Sequence, residues 1–188
     1  MRIRNRTRIL VEGALMIALS TVLSYLTIFR FPQGGSISLE MLPLLLMGLR
    51  NGSKWGCATG IVHGGLQMFI GFQNVLYCQT IWSQLGCIFL DYVSAYALLG
   101  LAKLFAAPFR RKVLGYAVGA FVCGLLRFGC SFLSGWILWG DYVPEGWHPW
   151  IYSLVYNGSY MIPSIFITVL VIALLTKCAP QLLRKSFV

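Results

Sequence analysis

The sequence predicts an all-α integral membrane protein with six transmembrane helices, and three observations carry that expectation. Apolar residues fill 58 % of the 188 positions and charged residues 11 %, whereas a soluble domain is nearer half apolar and a quarter charged. The apolar excess comes in blocks of about 20 residues, enough to cross roughly 30 Å of hydrocarbon at about 1.5 Å per residue. The cations then fall on one side. Arg2, Arg4, Arg6, Arg8, Arg50, Lys54, Lys103, Arg110, Arg111, Lys112, Lys177, Arg184 and Lys185 all sit at segment ends that share a side once six helices are drawn. The opposite loops, 72–80 and 140–149, hold no Lys or Arg. This is the charge asymmetry of cytoplasmic loops, so the N- and C-termini are expected in the cytoplasm and the chain in the cell membrane as a multi-pass protein. The net charge of +10 is thereby assigned to membrane orientation and not to nucleic acid. By length, residues 1–188 form a single membrane-embedded domain.

The first helix is expected over 9–29, retained and not cleaved, since no small-residue cleavage site follows Leu26 and more spans come after it. Glu12 lies near its basic end. Ala14 and Ala18 share a face with Gly13 beside them, a spacing that lets another helix approach closely, inside the chain or outside it. A loop over 30–38 follows, broken by Pro32 and by Gly34 and Gly35. Gln33, Gly34, Gly35 and Ser36 are its candidate lid residues, against the plainer reading of a turn. Helix 2, over 39–49, is short, with Pro43 in its first turns. Helix 3, over 55–70, carries Gly56, Gly60 and Gly64 four apart, a packing stripe, with His63 beside it as a locally bonded ring.

Helix 4 is expected over 81–105. Asp91 reads as the one acid well inside a span, and Gln84, seven residues earlier, falls on the same face of a regular helix. Asp91 can pair with Arg127 and cancel two buried charges, or it can face a polar ligand; the two roles are compatible. Helix 5 is expected over 113–139, where Arg127, Ser131, Gly135 and Trp139 recur every fourth residue in one stripe. A cation, a hydroxyl, a bare backbone and an indole do not make an ordinary packing face. Helix 6, over 150–176, aligns Tyr152, Tyr156 and Tyr160 and carries Asn157. Asn157-Gly-Ser159 matches a glycosylation pattern but lies within the span.

Polar groups placed in hydrocarbon are costly and point to a site. The six cysteines show no metal spacing, no phosphate-binding loop or catalytic constellation is present, and no metal or cofactor is expected. One carboxylate (Asp91), aromatic faces (Tyr92, Trp139, Tyr152) and amide or hydroxyl groups (Gln84, Ser131, Asn157) suit a flat cationic heterocycle. The ring can lie on an indole face, an amino group can donate to the carboxylate, and the amides fix orientation. Asp141 and Glu145 make the external mouth negative, which favours entry of a cation.

Three runs carry a resemblance: PQGGSISLEMLPLLLMGLRNGSKWG (32–56), LDYVSAYALLGLAKLF (90–105) and RFGCSFLSGWILWGDYVPEGWHPWIYSLVYNGSYMIP (127–163). They resemble the thiamine-specific substrate-binding subunit, or S component, of energy-coupling-factor vitamin transporters, over nearly the whole chain. The resemblance implies that Asp91 binds the aminopyrimidine of thiamine, that Trp139 stacks on the ligand, and that Tyr152 and Asn157 complete the pocket. It implies that Ala14 and Ala18 dock on a membrane coupling subunit served by two ATPase subunits, and that the glycine loop closes over the vitamin. The chain departs from the family at Ser131, where a histidine usually stands in the fifth-helix stripe. A close analogue of thiamine, a related pyrimidine or another vitamin is the alternative ligand. An intramembrane enzyme built on Asp91, His63 or Arg127 lacks a catalytic pair at fixed spacing, and a stand-alone secondary transporter lacks repeated halves.

Overall fold

The computed structural model describes residues 2–31 and 34–183, with side chains from residue 5 onward. Pro32 and the predicted lid residue Gln33 lie outside the described residues, as do Arg184 and Lys185. Six helices of eleven residues or more organise the described chain: α1 Arg2–Tyr25, α2 Met41–Asn51, α3 Ser53–Ile70, α5 Ile81–Ala106, α6 Lys112–Leu138 and α7 Pro149–Cys178. A five-residue α4, Phe72–Leu76, bridges α3 and α5. Of these, α1 from Asn5, α5, α6 and α7 are long and apolar enough to cross a membrane.

The short helix lies at the centre. In α2, Leu44, Leu45, Met47 and Leu49 are at most 2 % exposed. Its sequence MLPLLLMGL is apolar on every side, as a fully surrounded helix must be. Eleven residues rise only about 16 Å, so α2 reaches about halfway through the hydrocarbon. The segment before α2 holds a feature the sequence did not announce. Helix α1 stops at Tyr25, four residues short of the expected end. The chain then forms a two-stranded antiparallel hairpin, β1 Phe29–Arg30 and β2 Ser36–Ile37, with Phe29 opposite Ile37 and Arg30 opposite Ser36.

The glycine stripe of α3 is a packing face. A Cβ at Gly56 would stand 2.6 Å from Gly48 Cα on α2 and 2.7 Å from Gly100 Cα on α5, a distance no side chain tolerates. His63 beside this stripe is fully buried. It contacts Ser20 Oγ at 3.2 Å and Gln67 Nε2 at 3.4 Å, with its ring edge-on to Tyr96 at 4.9 Å. Ser20 comes from α1, so the histidine ties three helices together.

Helix α5 opens on a capping box, with Ser83 N–H donating to Thr80 Oγ1 and Thr80 N–H to Ser83 Oγ, both at 3.1 Å. It is not regular thereafter. Residues Ile88–Ser94 form a π-helical turn and Leu98–Leu101 a 3-10 turn. Helices α6 and α7 run antiparallel along their lengths. The gap at Gly124 is filled by Ile165.

Helix α1 is the least covered span: 11 % of its apolar window is buried, against 33 % in α6 and α7 and 39 % in α5. Gly13 and Ser20 face inward, with Gly13 against Thr59 and Met47, whereas Ala14 and Ala18 are exposed. The basic residues gather at one end. Glu12 and Arg50 make a salt bridge of 2.8 Å there, Arg6 and Lys54 line one surface cavity, and Arg50, Lys103, Arg111 and Lys112 line another. The hairpin, Tyr77 and Tyr142 occupy the opposite end, where Tyr142 O–H donates to Tyr77 O at 3.0 Å.

Candidate functional site

The π-helical turn decides where Asp91 points. A π turn closes i→i+5 rather than i→i+4 hydrogen bonds, which shifts the register by about one residue and recurs at functional sites. Asp91 lies within this turn, where the spacing of a regular helix no longer holds. Gln84 instead donates its Nε2–H to Cys78 O at 3.1 Å, holding the loop before α5. Tyr92 is buried on the α3 side, with its hydroxyl 3.4 Å from Gly71 O.

Asp91 Oδ2 accepts hydrogen bonds from Ser134 Oγ on α6 and, at 3.5 Å, from Cys87 Sγ one turn earlier. Both donors are about 1 % exposed. The pairing of Asp91 with Arg127 that the sequence left open is overturned, because Arg127 has another partner. Its Nη2 donates to Glu40 Oε1, the acid just before α2, and its guanidinium lies 4.4 Å over the Tyr96 ring. Tyr96 O–H also faces Glu40 Oε1, at 3.4 Å, and Ser20 Oγ donates to Glu40 O at 2.5 Å. Asp91 is thus not the one acid inside the helical bundle.

From Asp91 a run of contacts leads across the molecule. Ser134 is followed by Gly135, which faces α7, and a Cβ there would lie 3.0 Å from Asn157 Nδ2. Asn157 is buried and donates to Ser131 O at 3.3 Å, Ser153 O at 3.0 Å and Ser153 Oγ at 3.2 Å. Ser153 Oγ in turn donates to Phe132 O at 2.7 Å. Asn157 Oδ1 accepts from Tyr160 O–H at 2.6 Å. Asp91, Ser131, Gly135 and Asn157 are thereby brought to the meeting of α5, α6 and α7.

The hairpin closes over the tyrosine stripe. Tyr156 O–H donates to Gly34 O at 2.8 Å. Gly35, at φ +83°, lies on the Tyr160 ring, where a Cβ would come within 2.6 Å of two ring carbons. Only glycine meets both the backbone angle and the space. Phe31 packs against the rings of Tyr156 and Tyr160 at 5.9 and 5.7 Å. Ser36 O and Ser38 N–H are both held by Ser164 Oγ, at 3.4 and 3.3 Å. Tyr152 stacks on Tyr156 at 5.8 Å, and Trp139, at the end of α6, lies 5.5 Å from Tyr142.

Sequence reasoning missed Glu40, Ser134 and the part of Ser153. The signal for Glu40 was available: a buried arginine demands a carboxylate, and the chain has only five acids. Ser134 carried no signal, because nothing in a run of small residues marks which one meets an acid from another helix.

Comparison with known proteins places the chain in a family. The profile of the Thiamine transporter protein family matches residues 10–184. Thiamine transporter ThiT of Bacillus subtilis is 34 % identical over a 188-residue alignment covering 94 % of each chain. Its namesake from Lacticaseibacillus paracasei is 28 % identical, over 93 % of this chain and 89 % of that one. A solved structure of ThiT from Listeria monocytogenes shares the fold, with a TM-score of 0.78 at 23 % identity over 95 % of this chain and 98 % of that one. The chain therefore belongs to the thiamine transporter protein family, and it is a multi-pass transport protein of the cell membrane and not an enzyme.

Proposed function

We propose that the chain is the substrate-capture subunit of an energy-coupling-factor-type, ATP-driven importer and binds thiamine from outside. The observation that carries this reading is Asp91. It is a carboxylate held by a hydroxyl and a thiol inside a membrane bundle, with no salt bridge among the described residues. A cationic ligand completes it. The amino group of the pyrimidine donates to Asp91, while the thiazolium lies against Trp139 and Tyr152. Ser131, Gly135 and Asn157 shape the space between α6 and α7, Gln84 and Tyr92 brace α5 behind Asp91, and the residues Gln33, Gly34, Gly35 and Ser36 cover the ligand.

The topology belongs to the same proposal. Six crossings result when α2 is counted together with its hairpin and α3 is counted as a span of its own. The gathering of basic residues at one end supports cytoplasmic termini. The exposed Ala14 and Ala18 on the least covered helix support docking of the membrane coupling subunit, which two ATPase subunits drive.

Titrating thiamine into the purified protein should quench tryptophan fluorescence at sub-micromolar concentration, and a panel of pyrimidine analogues and other vitamins ranks the alternatives. Silence at high micromolar thiamine sinks the ligand assignment; a tighter analogue reassigns it, with Ser131 as the first residue to examine. Replacing Ala14 and Ala18 together by Trp should leave this binding intact and abolish uptake in cells. Uptake that survives removes the docking role from that face.

A further inference from the structure

We propose that the basic end of the protein carries a binding site for the phosphate of one anionic phospholipid. A cavity of about 1050 Å³ opens there between α2, α5, α6 and the end of α7. Four cationic side chains from three elements line it: Arg50 of α2, Lys103 of α5, and Arg111 and Lys112 where α6 begins. Arg50 already shares its charge with Glu12. No carboxylate is among the described lining residues, whereas Tyr116 adds a hydroxyl group. A concave, multi-helix arrangement of cations differs from a row of basic loop residues, because it converges on one volume, and basic pockets between helices select anionic headgroups.

The walls distinguish a lipid from a free anion. Leu49 and Leu183 close the inner side and are buried. On the outer side the cavity meets Val113 and Leu114, which are 40 % and 51 % exposed. A phosphate among the cations therefore has an apolar surface beside it along which acyl chains can lie. Which leaflet supplies the lipid rests on the orientation proposed above. Binding in neutral detergent does not depend on it, so the two readings fail separately.

The test is native mass spectrometry of the protein in neutral detergent, titrated with phosphatidylglycerol and, separately, with phosphatidylcholine. One phosphatidylglycerol should bind about tenfold more tightly than phosphatidylcholine. Lys103→Gln with Arg111→Gln should erase that preference, whereas Arg6→Gln with Lys54→Gln, which removes the same charges from the neighbouring cavity, should keep it. Unchanged thermal unfolding and thiamine quenching would show that both variants are folded. Equal binding of the two lipids overturns the proposal, as does an equal loss in the two double variants, which would mean unlocalised charge attraction. Displacement of the lipid by millimolar inorganic phosphate overturns it too, since the occupant would then be a free anion.

Discussion

Two acids sit inside this bundle and are treated in opposite ways. Glu40 is neutralised: Arg127 donates to it, Tyr96 approaches it, and the cation rests on the Tyr96 ring. Among the described residues Asp91 receives hydrogen bonds from neutral donors, Ser134 and Cys87. Removing a charge from water costs several kcal/mol unless a counter-charge and hydrogen bonds offset it. The first acid has a salt bridge to offset that cost, and the second has none among the described residues. The pairing of Glu40 thus holds α2, α5 and α6 together, and the shell of Asp91 is the one that the proposed function completes with a ligand.

The contrast can be broken in three places. The largest effect is expected from Arg127→Met, which strands Glu40: thermal unfolding in detergent should show a loss of about 3–5 kcal/mol. Adding Glu40→Gln should recover much of it, and a single variant as stable as the parent would mean that the pair holds nothing. Next comes Asp91→Asn. Thiamine affinity should fall by about 2–4 kcal/mol, roughly 30- to 1000-fold, with stability unchanged or raised. If Asp91→Asn instead unfolds the protein while binding survives, the roles of the two acids are reversed. The smallest effect belongs to Ser134→Ala, which removes one interhelical hydrogen bond worth about 0.6–1.7 kcal/mol in a membrane. Ser134→Thr should restore it; a harmless Ser134→Ala would show that the α5–α6 contact does not steady Asp91.

The same contrast marks how far the sequence could be read. Length and apolar blocks located the long helices after the first to within about two residues, because the cost of exposing peptide groups to hydrocarbon leaves little choice; α1 begins seven residues earlier than expected and ends four earlier. The glycines of α3 were readable as a packing face for the same reason. The π turn at Ile88–Ser94 was not, since no residue in IFLDYVS demands it. The hairpin was hidden by its brevity: two residues per strand give no alternation to detect. Ser131 and Gly135 were singled out through four-residue spacing and Asn157 as an amide inside a span, but Glu40 was passed over because it stands at a helix start, where an acid looks ordinary. Single residues at the edges of elements thus settled what periodicity left open.

The half-length of α2 has a consequence for the permeability barrier. Around most of the molecule the barrier is helix, whose hydrogen bonds are cooperative and hard to break one at a time. Beyond the end of α2 it is the hairpin strap, fastened by a short set of fasteners: Ile28 N–H to Ile37 O, Phe31 N–H to Gly35 O, the bond from Tyr156, and the two at Ser164. Segments with few such ties open at far lower free energy than a packed helix. The described part of the hairpin is therefore expected to open at lower free energy than the helices beside it.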